Sequence, residues 1–456
     1  MRLQTQWQDL AVGLLGDLIR IDTSNPPGNE EPACEVAAEA LAAHGVEPHL
    51  HRVAPGRANL TARVKGDGSL PPLLLAAHLD VVRAEAAGWT HPPFSGIEAG
   101  GCLWGRGALD MKHMAAMATA VVCRLGAERR PLRRDVILAL VADEEAGMEL
   151  GSRWLVDNVP DEVRAGVAIG EVGGMTMRVA GRRLYTLQVA EKGMAWLRLT
   201  ARGTPGHGSI PDPDSATVRL AKAVAALGET PLPPHSTPAG RAFAAAALDA
   251  FGPGLRVAAP LLVGDAGARL LRRAARKSPI GRAVAAMLAN TATPTCLHAG
   301  TSTNVIPAEA SADVDGRTLP GQTAGDLVRE VRAVIGEGLD VVVTREAPPV
   351  SAPLDHPFVA LTRKVLAEHD PEGRLVPSLT PGFTDAKAWS RLGAACYGFT
   401  PVRLPEGFPP FSTLIHGIDE RIPVEGFRWG VQVLADLVER WAGPFDGAQG
   451  GQEEKS

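Results

Sequence analysis

The sequence predicts an α/β fold, a mixed, mainly parallel sheet flanked by helices, with an inserted ferredoxin-like α+β domain. Three observations support this. Short apolar runs at 73–77, 136–141 and 167–169 alternate with helix-period segments, the pattern of strands buried on both faces and joined by crossover helices. From about Tyr185 the texture changes to alternating strands, and the element order there reads β-α-β-β-α-β. After Pro348 and Pro349 the α/β texture resumes, so the second domain reads as an insertion.

Taken in order, 7–19 is the first helix, with Leu10, Leu14, Leu15, Leu18 and Ile19 on one stripe, closed by the turn-rich Thr23-Ser24-Asn25-Pro26-Pro27-Gly28. A second helix, 30–44, is stopped by Gly45. Strands at 59–64 and 73–77, a helix at 114–125, a strand at 136–141, a helix at 152–158 and a strand at 167–169 follow. The inserted domain has a strand at 191–203, a helix at 215–227, strands at 294–300 and 306–317, a helix at 323–335 and a strand at 340–345. Helices at 356–369 and 426–441 complete the α/β part. The resulting division is 1–188 and 349–442 for the α/β domain, 189–348 for the inserted domain with an Ala- and Arg-rich helical insertion at 231–293, and 443–456 as a disordered tail.

Composition narrows the function classes. The 456 residues suffice for two or three domains, and 45% hydrophobic with 21% charged residues describes an ordinary globular protein. A net charge of −5 without a long basic run gives no reason to expect nucleic acid or an anionic membrane as partner. Cys34, Cys102, Cys123, Cys296 and Cys396 show no CxxC pairing, so a reducing compartment is expected rather than a disulfide framework. With no signal-peptide pattern and no apolar stretch near the ~18 residues of a membrane span, a cytoplasmic location is expected.

Acids and a histidine gather where apolar runs end. His78 and Asp80, at spacing i, i+2, share one face of an extended backbone, where a carboxylate can take one ring N–H and leave the other nitrogen for a metal. The run 136–141 leads into Asp143, Glu144 and Glu145, which repel one another unless a cation offsets them or one stays protonated. The strand 167–169 delivers Glu171. In parallel sheets ligands collect at the carboxyl ends of strands, which is where these side chains fall. Gly105 and Gly107 precede Asp110-Met111-Lys112 without the context of a phosphate cradle, and read as a tight turn. His44, His49, His51, His91, His113, His235, His298, His356 and His369 read as surface or core residues.

Together these motifs resemble the M20 metallopeptidases, cocatalytic two-zinc amidohydrolases that include aminoacylase, acetylornithine deacetylase, succinyl-diaminopimelate desuccinylase and the carboxypeptidase S type. The resemblance runs from Ile21-Asp22-Thr23-Ser24-Asn25-Pro26-Pro27-Gly28 to His416-Gly417. It implies a zinc-peptidase catalytic domain and a lid or dimerisation domain. It implies two Zn2+, with Co2+ or Mn2+ as substitutes: His78, Asp110 and Glu171 for one, Asp110, Glu145 and His416 for the other, Asp110 bridging and Asp80 orienting His78. Three protein ligands per ion leave an open position, as catalytic zinc requires. Glu144 is implied as general base.

The resemblance also implies that His207, in Gly206-His207-Gly208-Ser209, stabilises the oxyanion in the neighbouring subunit of a homodimer. It implies that Asn304 and Arg317 hold the substrate carboxylate, and that Gly382 and Thr384 line the same pocket. Where relatives often carry Gly-His-Ser-Ser this chain has Gly-His-Gly-Ser, and Val172 follows Glu171 where Gly or Pro is frequent. The expected activity is cleavage of an amide bond beside a free carboxylate, in an N-acyl amino acid or a small peptide. Two-metal phosphoester hydrolysis has only Lys112 and Arg317 to grip phosphate. A dipeptidase, or a metal-stabilised binding or scaffold protein with a dead site, is the alternative.

Overall fold

Two apolar runs, Leu73–His78 and Val136–Val141, lie side by side as parallel strands with every residue buried. A sheet achieves that only when both faces are covered. Val167–Gly170 pairs parallel to the first of them, and Ala395–Gly398 pairs parallel to Val167–Gly170, giving four parallel strands. Arg57–Val64 and Pro48–Ala54 extend one side antiparallel, and Arg182–Glu191 meets the other side antiparallel at Gln188. The sheet is mixed and mainly parallel, as expected from the sequence.

The protein is seen in a computed structural model that describes residues 2–252, 282 and 285–444. The chain forms two compact units, the first Met1–Val189, Ala352–Pro377 and Thr384–Ser456, the second Ala190–Ser351 with Ser378–Phe383. In the first unit the helix Lys112–Glu128 packs against the strands Leu73–His78 and Val136–Val141 and touches the helices Arg2–Arg20, Glu31–Ala43 and Val424–Ala442. That explains why a helix carrying Lys112 and His113 is buried along most of its length. Pro160–Val163 and Ala386–Trp389 pack on the strands Val136–Val141, Val167–Gly170 and Ala395–Gly398. Among the described residues no helix is long and apolar enough to cross a membrane.

In the second unit a four-stranded antiparallel sheet has the order Thr291–Ala299, Glu309–Thr318, Gly193–Arg202, Asp340–Ala347. The helices Ala216–Glu229 and Ala324–Ile335 complete the ferredoxin-like order, sharing a core with the sheet through Leu197, Leu199, Leu220, Leu327 and Val331. Glu309–Thr318 alternates buried and part-exposed residues, the period of a strand covered on one face. Thr323 and Asp326 form a capping box that starts the second helix.

Some elements differ from the sequence reading. The expected strand 306–317 is two pieces, Val305–Ile306 paired with Gly206–His207, and Glu309–Thr318 in the main sheet, because Pro307 cannot donate to a ladder. Pro48–Ala54 was not anticipated: it is a part-exposed edge strand with two histidines and no apolar alternation. Ser378–Phe383, expected with the α/β part, groups with the second unit, where Lys192 N–H donates to Thr380 O at 3.0 Å. Of the insertion expected at 231–293, the helix Pro238–Phe251 is described, whereas 253–281 lie outside the described residues. So does 445–456 of the expected tail.

Candidate metal centre

His78 is the last residue of its strand and is fully buried. Its Nδ1 lies 2.9 Å from the backbone oxygen of Asp80, so Nδ1–H donates there and Nε2 is left to accept. Nε2 stands 3.2 Å from Asp110 Oδ1 and 3.7 Å from Glu171 Oε2. The Asp80 carboxylate, expected as the partner of the imidazole, is farther from Nδ1, at 3.5 Å. Its closer bonds are to the loop after the next strand: Oδ1 accepts the Glu144 N–H and Oδ2 the Glu145 N–H, both at 3.1 Å, and Asn25 Nδ2 donates to Oδ2 at 2.9 Å.

Asp110 follows a turn that only glycines permit. Gly107 has φ +87°, and a Cβ there would lie 2.9 Å from Val81 Cγ1. On the far side of Asp110, His416 Nε2 stands 3.1 Å from Asp110 Oδ2 and 3.2 Å from Glu145 Oε1. The result is two triads of ligand atoms, His78–Asp110–Glu171 and Asp110–Glu145–His416, each with its atoms within 4.8 Å of one another and sharing Asp110. His416, with φ +59°, and Val172, beside Glu171 with φ +62°, both adopt the left-handed backbone that non-glycine residues seldom take.

Electrostatics mark the cluster as short of positive charge. Burial pushes Glu171 up to about 7, with Asp110 and Asp385 adding to the push and His78 opposing it. Burial, then the carboxylate of Glu171, raises Glu144 well above the usual range. Hydrogen bonds donated to the Asp110 and Glu145 carboxylates lift His416 to about 10. Burial disfavours charge on Asp110, yet His416 and His78 outweigh it and hold Asp110 below the usual carboxylate range. Without cations this many acids can coexist only by taking protons. The residues fit a divalent pair: imidazole nitrogens and carboxylates suit zinc-class ions, and the buried Glu171 Oε1 has no hydrogen-bond partner among the described residues.

The model of peptidase family M20/M25/M40 matches residues 74–440, from the His78 strand to the C-terminal helix. The chain belongs to this family. It is an M20-type metallohydrolase. It is 29% identical over 402 residues to the N-fatty-acyl-amino acid synthase/hydrolase PM20D1 of Homo sapiens, covering 85% of this chain and 78% of the relative. It is 25% identical over 441 residues to Aminoacylase-1 of Sus scrofa, covering 95% of each. In fold it is similar to the M20 metallo-carboxypeptidase Sso-CP2 of Sulfolobus solfataricus, with TM-score 0.69 at 16% identity over 94% of this chain and 98% of that one. The Bacillus subtilis YXEP protein, a dinuclear metal-binding M20 peptidase, gives TM-score 0.58 at 14% identity, covering 95% and 98%.

The other site residues inferred from the M20 motifs are divided between the two units. His207, Asn304, Arg317 and Gly382 belong to the second unit, and Thr384 to the first. His207 is exposed, with Nδ1 2.7 Å from Ser209 Oγ. Asn304 is exposed and accepts from Ser302 Oγ at 2.7 Å. Arg317 donates Nε and Nη2 to Asp315 at 2.7 and 3.2 Å and lies over the Phe383 ring, while its Nη1 has no hydrogen-bond partner among the described residues. Thr384 is buried, accepts the Ala386 N–H and lines a small cavity with Glu171 and Asp385.

Sequence reasoning passed over the support of the acidic loop. Asp143 Oδ1 accepts from Asn25 Nδ2 at 3.0 Å and from Arg57 Nη2 at 3.2 Å, and Arg57 also pairs with the buried Glu30 at 2.5 Å. Asn25 had read as part of a turn and Asp143 as one acid of three. Their spacing in the chain holds no signal, because the contacts span 86 and 118 residues.

Proposed function

We propose that this chain hydrolyses an amide bond beside a free carboxylate, in an N-acyl amino acid or a small peptide, with two divalent cations, zinc first, held by His78, Asp110 and Glu171 and by Asp110, Glu145 and His416. The observation that carries the reading is the position of Asp110, which turns Oδ1 to His78 and Oδ2 to His416. A carboxylate between two imidazoles, each beside a further acid, is the donor set of a shared pair of ions. The relatives N-fatty-acyl-amino acid synthase/hydrolase PM20D1 and Aminoacylase-1 support the N-acyl amino acid class, and the Dictyostelium discoideum relative, probable carboxypeptidase S-like 2, supports the peptide class.

When bound, the cations polarise the substrate carbonyl and lower the pKa of water. Glu144 takes the proton of the attacking water and passes it to the leaving amine nitrogen. A buried carboxyl that belongs to neither triad suits both halves of that task. The backbone N–H of Glu144, bound to Asp80, fixes where that carboxyl starts from. Hydrolysis proceeds through a homodimer in which His207 of one copy serves the oxyanion formed in the other, and Asn304 and Arg317 receive the substrate carboxylate. The deciding experiment is a zinc-loaded screen of N-acetyl, N-succinyl and long-chain N-acyl amino acids against dipeptides. Hydrolysis of at least one class is expected, and none with any amide would overturn the reading.

A further inference from the structure

The two halves of the centre rest on different supports. His78 ends one strand and Glu171 directly follows its parallel neighbour Val167–Gly170, so the sheet ladder fixes the distance between them. Asp110 and His416 stand on loops 306 residues apart in sequence, and His416 is half exposed in a left-handed backbone. A short antiparallel ladder, Cys102–Trp104 with Arg421–Pro423, joins the two loops at their base, but it ends six residues before Asp110 and begins five residues after His416.

Between that ladder and the ligands, a buried ion pair ties the loops. Glu420 is fully buried and Arg106 is 3% exposed, with Arg106 Nη1 2.6 Å from Glu420 Oε2. The other Glu420 oxygen, Oε1, accepts the N–H of Leu109 at 2.7 Å and of Asp110 itself at 3.2 Å. Arg106 Nη2 donates to the carbonyl of Gly417, the neighbour of His416, at 2.9 Å. The Glu420 carbonyl accepts the Gly105 N–H at 2.9 Å. Each charged group therefore reaches from its own loop to the backbone beside the ligand on the other.

Stability alone is a weak reason for such a pair, since well-packed apolar replacements of buried ion pairs are often neutral or stabilising. Geometry gives a better one. We propose that Arg106 and Glu420 are positioning residues that hold the Asp110 and His416 loops in register, so that the Asp110–Glu145–His416 triad binds its cation. The inference rests on the two-cation reading. It predicts asymmetry: without the pair the His416 loop drifts and the second cation weakens, while the first keeps two of its three ligands, His78 and Glu171, at strand ends.

The test is titration of the full metal-free chain with Co2+ alone, followed by calorimetry and visible absorption, with His78→Ala and His416→Ala as references for loss of either triad. The Arg106→Gln/Glu420→Gln double variant keeps hydrogen-bonding groups without leaving a lone buried charge, and Glu420→Gln alone is the companion. The expected result is a second dissociation constant raised by about 10-fold or more, the first within about threefold, and the absorption signature of His416→Ala. Two constants that stay unchanged, two that rise together, or loss of the fold in both variants without metal would overturn the proposal. An unmodified chain that binds fewer than two Co2+ would instead refute the two-cation reading, and is seen before any variant is made.

Discussion

Asp80 Oδ1 accepts the backbone N–H of Glu144 at 3.1 Å, while the carbonyl of Asp80 lies 2.9 Å from His78 Nδ1. One residue thus aims the imidazole and anchors the acidic loop. Asp80→Asn puts an amide NH2 against backbone donors, so the loop must shift or lose a bond. Metal retained after dialysis should fall, with affinity lower by about 10-fold or more. Full metal content and turnover in this variant would remove the anchoring role.

Glu144→Gln should leave the ligand atoms of both triads in place, because Glu144 belongs to neither. Metal content should match that of the unmodified chain while kcat drops by roughly 10²- to 10⁴-fold. Steady-state kinetics beside elemental analysis separates the two effects.

His207→Ala should abolish most activity without lowering thermal stability, since the side chain is exposed and, among the described residues, bonds within its own turn. Mixed with Glu144→Gln, it should regain activity if each copy completes the other's site. A mixture as inactive as its parts would count against a histidine donated between copies.

Acid stability should depend on Asp370, a buried carboxyl that accepts from Arg183 Nη2 at 2.7 Å and Tyr185 OH at 2.8 Å. Burial opposes its charge, but Arg183 and Tyr185 outweigh burial and hold it at about 2 against 3.8 for the free group. A depressed folded-state pKa stabilises fully above the unfolded value and is lost as pH falls toward the folded one. The group's contribution, on the order of 2 kcal/mol, should disappear between about pH 4 and pH 2. Asp370→Asn should flatten that stretch of a urea-unfolding profile measured against pH.

Val172 combines two unfavourable features beside a ligand: a β-branched side chain at φ +62° and 37% exposure. Val172→Gly relieves the backbone at some cost in chain entropy, so unfolding free energy should rise by roughly 0.5–1 kcal/mol. A fall in urea denaturation would show that the apolar contact outweighs the strain.

The parallel core was legible because its strands are continuous apolar runs, and Leu73–His78 and Val136–Val141 appear within a residue of where their composition puts them. The ferredoxin-like order was legible through a different signal, the alternation of one-face strands at 191–203, which appears in the burial of Gly193–Arg202. Acids and histidine at strand ends were visible as types, since a charge at the end of an apolar run is locally anomalous. Strands such as Pro48–Ala54 were not, because an edge strand's polar pattern matches that of a loop.

What the sequence determined by itself is the inventory: which strands are buried, which residues can ligate, and the family whose motifs they match. Tertiary structure alone decided who meets whom. It set the Asp80 carboxylate against the Glu144 loop rather than closest to His78, and tied Asp110 to His416 through Arg106 and Glu420. The reason is that local patterning reflects burial of the residue itself, whereas a hydrogen bond between loops about 300 residues apart leaves no periodic trace in either.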